Sequence, residues 1–235
     1  GIETAGSLNI LFSDKTGTIT KGILEVVSFI DGAGNESSKL SEAPEALRRL
    51  ADTAVRYNTG AVIADDGSVV GGNMTDRALL SYIQGNDAVP AQILSTVPFD
   101  SKEKYSASYI DTEGRRISLI KGAPEKIIDR CTHYYDGNGQ KQELASGDNA
   151  VTKQAEALAS RAIRVLAVAA SDEELSEQDA LHDNHWTLIG ILGIRDDVRE
   201  EAVEAIEQVH SAGVQVVMIT GDRKDTASAI AKEAG

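Results

Sequence analysis

Ser7–Thr20, SLNILFSDKTGTIT, places one acid, Asp14, directly after a short apolar run. The run Ser7–Phe12 is typical of a β-strand that is buried on both faces. Open α/β sheets collect their functional groups at the carboxyl ends of such strands, which is where Asp14 stands. An isolated Asp would be interpreted as a turn residue whose side chain binds loop backbone. The stretch therefore predicts an α/β sheet and marks Asp14 as a candidate functional carboxylate.

The residues D-K-T-G-T, Asp14–Thr18, favour a chemical role for this carboxylate. Gly17 lets a ligand approach the backbone closely, and the hydroxyl and amide groups of the loop can hold phosphate oxygens. Lys15 adds positive charge beside Asp14. The pattern suits a carboxylate nucleophile that forms an aspartyl phosphate.

Strand and helix patterns alternate in the last fifty residues or so of the sequence. Trp186–Ile194 and Val214–Thr220 are apolar runs of strand length. Between them, residues 196–213 carry apolar side chains at helical spacing and end at Gly213, a common helix terminator. Residues 223–235 show a second helical pattern. Together with Ser7–Phe12, this alternation predicts a doubly wound parallel sheet.

The middle of the sequence has a different pattern. Tyr105–Gly122 contains two strand-like runs joined by the polar turn Asp111–Gly114, which predicts an antiparallel hairpin. Helices are predicted at 124–131 and 149–163, and a further strand at 164–171. We expect an α+β unit with an antiparallel sheet.

These patterns predict two domains. Residues 1–23 and 192–235 form a split α/β domain whose parallel sheet is incomplete. Residues 24–191 form the inserted α+β domain between its two parts.

Composition excludes several classes of function. The chain has 235 residues, with 37 acidic and 23 basic side chains and a net charge of −14, which argues against binding nucleic acid or anionic lipid through bulk charge. The single cysteine, Cys131, permits neither an internal disulfide nor a cysteine zinc cluster. No run approaches the roughly 20 apolar residues of a membrane-spanning helix, so we expect no direct membrane contact. A G-x-x-x-x-G-K-[ST] loop is also absent, which disfavours a P-loop ATPase.

SDKTGTIT, Ser13–Thr20, resembles the phosphorylation signature of P-type ATPases, which are ion pumps within the haloacid-dehalogenase-like group. The resemblance implies that ATP phosphorylates Asp14 and that Asp14 and the backbone of Thr16 help to bind Mg²⁺. It also implies that Thr18 contacts the transferred phosphoryl group and that Lys15 belongs to the same catalytic loop. MITGDRKD resembles the T-G-D motif of the family, which adds three catalytic residues: Thr220, Gly221 and Asp222.

Thr16 distinguishes this loop from that of the related phosphatases. Those enzymes usually carry a second acid two residues after the nucleophile, and here that position holds Thr16. A threonine cannot protonate a leaving group or activate water at neutral pH. The resemblance therefore implies a phosphoenzyme that hydrolyses slowly and survives until a pump has changed conformation.

Further segments resemble motifs that bind nucleotide in the same family. LIKGAPE matches K-G-A-P-E, and PFDSKEKYSASY matches P-F-x-S-x-x-K, in which the Phe would stack on adenine. GNMTDRALL matches G-x-P-T-E-x-A-L with Asp76 replacing Glu and Met74 replacing Pro, and GIRDDVR matches G-x-x-D-P-x-R with Asp197 in the proline position. SRAIRVLAVA supplies an arginine expected near the ATP phosphates. The nucleotide-binding residues implied by these matches are Asp76, Phe99, Lys104, Lys121, Gly122, Arg164 and Asp196.

The residues of these motifs are most similar to those of bacterial type II pumps, especially calcium-transporting ones. The resemblance implies a piece of a longer pump on the cytoplasmic side of a membrane, with ATP and Mg²⁺ as ligands and the membrane and actuator domains as partners. A later motif of the family, T-G-D-G-x-N-D-x-P, does not occur in the sequence. We therefore expect this piece to bind ATP and to turn it over poorly. Two alternatives are a free haloacid-dehalogenase-like phosphatase with a large cap and a nucleotide-binding regulatory module.

Overall fold

The computed structural model describes residues 8–85, 88–147, 149–176, 179–221 and 224–235. The chain divides into two compact units. Unit 1 comprises Gly1–Leu24, Leu158–Arg164 and Arg195–Gly235, and unit 2 comprises Glu25–Ala157 and Val165–Ile194. Among the described residues, no helix is both long and apolar enough to cross a bilayer.

Strands outnumber helices in the described residues. In chain order, the strands are β1 (Ile10–Asp14), β2 (Thr20–Asp31), β3 (Glu36–Ser37), β4 (Ala61–Ile63), β5 (Val69–Gly71), β6 (Ala91–Asp100), β7 (Tyr105–Thr112), β8 (Arg115–Gly122), β9 (Cys131–Tyr135), β10 (Lys141–Glu143), β11 (Arg164–Ser171), β12 (Trp186–Val198) and β13 (Gln215–Ile219). The α-helices are α1 (Glu45–Arg56), α2 (Met74–Ile83), α3 (Pro124–Ile127), α4 (Ala150–Ser160), α5 (Ala180–Asp183), α6 (Glu200–Ser211) and α7 (Lys224–Ala234). Short 3₁₀ turns lie at Leu40–Glu42 and Ile128–Arg130.

A nine-stranded mixed sheet organises unit 2. Its strand order is β10-β9-β12-β11-β8-β7-β6, and β2 pairs with both β12 and β3. The neighbouring pairs β6–β7, β7–β8 and β8–β11 are antiparallel, whereas β12 runs parallel to β9. The central strands are buried on both faces, as Leu119, Ile120 and Val168 illustrate. The mixed α and β character predicted for the middle of the chain, with its antiparallel strands, is confirmed.

The predicted hairpin at Tyr105–Gly122 is confirmed as β7 and β8. Thr112 pairs with Arg115, so the connection is a two-residue loop of Glu113 and Gly114. Both loop residues have positive φ, 51° and 77°, which defines the type I′ turn whose twist matches that of the flanking strands. The turn sets the register that carries Lys121 and Gly122 to the far end of β8.

Trp186–Ile194 lies in a different sheet from the one expected. The sequence pattern placed this run beside Ser7–Phe12 and Val214–Thr220 in one parallel sheet, and that expectation is wrong. The run belongs to β12, between β9 and β11 in the large sheet. A continuous apolar run indicates a strand, but it does not indicate which sheet contains it. It does not ensure burial either: β1 was predicted to be buried on both faces, and that expectation is wrong, because Ile10, Leu11 and Phe12 are all exposed.

Unit 1 is built on the parallel pair of β1 and β13. Ile10 lies opposite Gln215 and Asp14 lies opposite Ile219. The predicted helices that precede and follow β13 are confirmed as α6 and α7. Its small core consists of four buried residues from three segments, with four half-buried residues packed against them: Ile19, Ala162, Ile230 and Ala234, then Val198, Ile206, Met218 and Ala229.

Replacement of Gly190 in β12 by alanine should strongly destabilise unit 2. A Cβ at this position would lie 2.4 Å from the carbonyl oxygen of Ile30 and 2.7 Å from a ring carbon of Phe29. Both neighbours are fully buried, so Gly190→Ala forces the packed backbone apart and should cost about 1–3 kcal/mol. Urea denaturation would measure the loss. Gly221→Ala is the control, because a Cβ there meets nothing within 4 Å and its φ is not in the left-handed region; equal stability of the two variants would contradict the packing described.

Candidate functional site

Asp14 stands at the carboxyl edge of the parallel pair in unit 1. It ends β1 and lies opposite Ile219, the last residue of β13, so Thr220 follows at the same edge of the sheet. Asp14 and Gly221 are exposed, and Thr220 is half-buried. Asp222, the third residue of the T-G-D motif, lies outside the described residues. The parallel pairing thus brings the starts of both predicted catalytic motifs to one edge.

The backbone after Asp14 forms a tight turn. Thr16 has φ −78° and ψ 120°, and Gly17 has φ 77° and ψ −2°. These are the central angles of a type II turn, whose second central residue needs positive φ and is therefore most often glycine. Thr16, Gly17 and Thr18 are exposed, whereas Lys15 is buried. The turn presents the Asp14 carboxylate and two threonine hydroxyls to solvent, where a phosphate ligand can reach them.

Asp196 anchors the strand that follows this turn. One carboxylate oxygen accepts a hydrogen bond from the Thr20 hydroxyl at 2.6 Å, and the other accepts one from the Gly22 N–H at 2.8 Å. The Thr20 hydroxyl also lies 3.1 Å from the carbonyl oxygen of Lys15. Asp196 and Thr20 are both buried, so these bonds are shielded from water. In this structure Asp196 contacts the backbone that supports the Asp14 turn.

Arg199 holds the same backbone through its carbonyl oxygens. Its Nε donates to the Thr20 carbonyl at 3.0 Å, and its Nη2 lies 3.3 Å from the carbonyls of Gly17 and Lys21. Its own N–H donates to the Ile19 carbonyl at 2.9 Å. Sequence reasoning matched Arg199 to a motif but gave it no role, and it gave none to Thr20. The sequence signal for their role was the D-x-x-R spacing in GIRDDVR. It places an acid, Asp196, and a guanidinium, Arg199, three residues apart, and both contact the backbone after the Asp14 turn.

These bonds predict that Asp196→Ala loosens the Asp14 turn. The change leaves the Gly22 N–H without its acceptor, at a cost of about 1–3 kcal/mol, and leaves the buried Thr20 hydroxyl only its contact with the Lys15 carbonyl. We expect faster amide exchange at Gly22 and lower stability of unit 1, measured by hydrogen exchange with mass spectrometry. Asp197→Ala is the matched control, because its side chain is half-exposed and makes only surface ion pairs with Lys21 and Arg195. Equal exchange in the two variants would show that Asp196 is not an anchor.

Lys121 and Asp76 form a buried ion pair in unit 2. The Lys121 Nζ lies 2.5 Å from Oδ1 of Asp76, and the side chains are 7% and 12% exposed. The other oxygen of Asp76 accepts the Gly60 N–H at 3.2 Å. Asp76 lies in the first turn of α2, where the Asn73 side chain accepts its N–H at 2.9 Å. Two predicted nucleotide-binding residues, 45 positions apart in sequence, are therefore in direct contact.

The electrostatics of this pair are dominated by burial. Burial lowers the pKa of the Lys121 ammonium below its ordinary value, and the Asp76 charge and hydrogen bond oppose that shift. A buried charge without a partner is costly, and the Asp76 carboxylate supplies the partner for the buried Lys121 ammonium. The site holds a lysine whose charge is shielded from bulk water.

Phe99, Lys104 and Gly122 lie close together in the backbone of unit 2. Phe99 is near the end of β6 with 57% of its surface exposed, which leaves its ring free to stack on a planar ligand. The Lys104 carbonyl accepts the Ala123 N–H at 3.0 Å, directly after Gly122. A Cβ on Gly122 would lie 2.4 Å from that same carbonyl oxygen. Gly122 therefore permits the contact between the PFDSKEK and KGAPE segments.

Arg164 is separated from the other predicted nucleotide-binding residues of the middle segment. It is exposed at the start of β11 and belongs to unit 1, whereas Asp76, Phe99 and Lys121 belong to unit 2. Its strand continues into unit 2 at Val165.

A family model described as P-type ATPase, cytoplasmic domain N, matches residues 46–201. The chain belongs to this family. The match includes Asp76, Phe99, Lys104 and Lys121, so the buried pair and the exposed Phe lie in the part that defines membership.

Curated relatives match the chain along almost its whole length. Calcium-transporting ATPase 1 of Lactococcus lactis subsp. lactis is 34% identical over 248 residues, covering 100% of this chain and 27% of the relative. Calcium-transporting ATPase 1 of Bacillus cereus is 32% identical over 243 residues, with the same two coverages. Putative calcium-transporting ATPase 11, plasma membrane-type, of Arabidopsis thaliana is 31% identical over 249 residues, covering 99% and 24%. The chain thus spans about a quarter of the length of the relatives it matches.

Proposed function

We propose that the chain is the ATP-binding and aspartyl-phosphorylation portion of a P-type cation-transporting ATPase, with calcium as the transported ion. The observation that carries the proposal is the position of Asp14, exposed in a glycine-dependent turn at the carboxyl edge of a parallel pair. Family membership and the names of the relatives, which are calcium-transporting ATPases, support the pump and the ion. In the longer pump the chain would lie on the cytoplasmic side of the membrane, connected to the membrane and actuator domains.

The proposal divides the chain into two functional parts, whose ranges match the two units except at residues 24, 158–164 and 192–194. Residues 24–191 are assigned to the nucleotide-binding domain. Residues 1–23 and 192–235 are assigned to part of a haloacid-dehalogenase-like phosphorylation domain, in which β1 and β13 belong to a doubly wound parallel sheet. The T-G-D motif after β13 supports the second assignment, because Thr220 stands beside Asp14 at the sheet edge.

ATP binding is assigned to the predicted nucleotide-binding domain, residues 24–191. The exposed ring of Phe99 suits stacking on adenine, and Lys121 supplies a shielded positive charge for an anionic ligand. Lys104 forms a half-exposed ion pair with Glu125 at 3.3 Å, and it can exchange that partner for a phosphate at little cost. Arg164 is assigned to the phosphates of the same nucleotide.

Phosphoryl transfer is assigned to Asp14. Its carboxylate oxygen attacks the γ-phosphorus of ATP, the bond from phosphorus to the β,γ-bridging oxygen breaks, and ADP leaves with the electron pair. The exposed threonine hydroxyls of the turn and Thr220 would orient the transferred group. Asp14 and the Thr16 carbonyl offer the oxygen ligands that Mg²⁺ prefers, and the ion neutralises charge on the transferring phosphate.

The product is expected to form slowly and to persist. Within the described residues, no group of three His, Cys, Asp or Glu side chains could hold a metal ion. Hydrolysis is slow because Thr16 cannot activate water. Rapid turnover of p-nitrophenyl phosphate would instead favour a free phosphatase.

Nucleotide binding is the first test of this proposal. Isothermal titration of the 235-residue chain with ATP should give one site per chain. A Phe99→Ala variant should bind several-fold more weakly, because base–aromatic stacking contributes about 1–3 kcal/mol. Absence of binding at millimolar ATP would overturn the proposal.

A further inference from the structure

Asp100 controls the conformation of the turn between β6 and β7, here called the Asp100 turn (Asp100–Lys104). Its Oδ1 accepts the N–H groups of Lys102 at 2.8 Å and Glu103 at 2.9 Å. Its carbonyl accepts the Lys104 N–H at 2.7 Å. These backbone hydrogen bonds hold the pKa of the Asp100 carboxyl below its ordinary value. One residue therefore accepts three of the backbone donors in the turn.

Lys104 stands in a backbone conformation that it would not adopt alone. Its φ is 61°, in the left-handed region that is strained for a residue with a Cβ. The hydrogen bond from its N–H to Asp100 fixes this conformation. The strain is held in place by the backbone of the turn, whereas the Lys104 Nζ forms a half-exposed ion pair with Glu125.

The left-handed conformation of Lys104 connects the turn to the start of α3. It directs the Lys104 carbonyl to the Ala123 N–H at 3.0 Å, and Gly122 leaves the space that this contact needs. Ala123 immediately precedes Pro124, the first residue of α3. A chain of backbone hydrogen bonds thus runs from Asp100 through Lys104 to the segment that carries Lys121.

We infer that Asp100 is a positioning residue for nucleoside triphosphate binding, which holds Lys104 and the Gly122–Ala123 backbone in the geometry that receives the nucleotide. The inference rests on the proposed function of unit 2. Asp100 contacts no ligand in this scheme and acts through Lys104. Its loss should weaken nucleotide binding by about fivefold to tenfold, because the lysine returns to an ordinary backbone conformation.

Asp136 provides a matched control on the same sheet. It lies between β9 and β10, and its Oδ1 accepts the N–H groups of Asn138 at 2.9 Å and Gln140 at 3.0 Å. Its pKa is lowered for the same reason as that of Asp100. Strand β10 stands at the opposite end of the strand order from β6. Asp136→Ala therefore removes an equivalent turn without touching the predicted nucleotide residues.

The test measures the affinity of the 235-residue chain for the non-hydrolysable analogue AMP-PNP by calorimetry. Asp100→Ala should weaken binding about fivefold to tenfold and Asp136→Ala less than twofold, with similar losses of thermal stability. Asp100→Asn should restore most of the affinity, because the Asn oxygen accepts the same two N–H groups. Amide exchange at Lys104 and Ala123 should accelerate in Asp100→Ala with no nucleotide present.

Lys104→Gly supplies the decisive background, since glycine adopts positive φ without assistance. In that background Asp100→Ala should cause less than a twofold further loss. A full additional loss, or equal effects of Asp100→Ala and Asp136→Ala in the native background, would overturn the inference. A native chain that fails to bind AMP-PNP would overturn the proposed function as well, whereas normal binding with an unaffected Asp100→Ala variant would overturn this inference alone.

Discussion

Lys121→Met is expected to reduce ATP affinity at least tenfold and to destabilise unit 2. The change removes the shielded positive charge and leaves the Asp76 carboxylate, 12% exposed, without its ion-pair partner. Breaking a buried pair by removing one member costs about 3–5 kcal/mol, because the remaining charge is uncompensated. Calorimetry with ATP and urea denaturation would measure the two effects separately.

A double variant distinguishes lost binding from lost folding. Asp76→Asn/Lys121→Met removes both charges, while the Asn oxygen can still accept the Gly60 N–H that Asp76 accepts at 3.2 Å. We expect it to regain most of the stability but not the ATP affinity. Lys141→Met is the control, because Lys141 is exposed on β10 and pairs with Asp172 at the surface. ATP affinity that returns together with stability in the double variant would exclude Lys121 as a ligand-binding residue.

Asp14→Asn is expected to eliminate the acid-stable phosphate that ATP transfers to the chain. An amide is not a nucleophile of the required kind and cannot form an acyl phosphate, so labelling should fall by more than a hundredfold. ATP affinity should change less than twofold, because the nucleotide is assigned to unit 2. Incubation with γ-labelled ATP and Mg²⁺, followed by an acid quench and hydroxylamine treatment, would measure the label.

Asp197→Asn provides the comparison for Asp14→Asn. Asp197 is a half-exposed acid of the same unit that makes surface ion pairs with Lys21 and Arg195. It should keep the native label. Label that survives in Asp14→Asn at the native level would place the phosphate on another residue.

Local pattern predicted much of the secondary structure. The β7–β8 hairpin followed from two strand-like runs and a polar turn, and helices α6 and α7 followed from their apolar spacing and terminal glycines. Each of these features is encoded within about twenty consecutive residues. Their hydrogen bonds are mostly short-range, so sequence alone specifies them.

Pairings between distant residues could not be predicted in the same way. The Thr20–Asp196 bond joins positions 176 apart, and the Lys121–Asp76 pair joins positions 45 apart. Motif resemblance named Asp76, Lys121 and Asp196, but it did not show that Asp76 faces Lys121 or that Asp196 and Arg199 hold the backbone after the Asp14 turn. The prediction of which sheet contains Trp186–Ile194 was also wrong, because a strand buried on both faces has the same apolar run in either sheet.

Site mapping on the native chain tests the central claim most directly. The chain is incubated with ATP and Mg²⁺ for hours, quenched in acid, reduced with borohydride, digested and sequenced by mass spectrometry. Reduction converts an aspartyl phosphate to homoserine, so the account predicts homoserine at position 14 and at no other Asp. Homoserine at a different position, or none in a chain that binds ATP, would contradict the assignment of Asp14 as the phosphorylated residue.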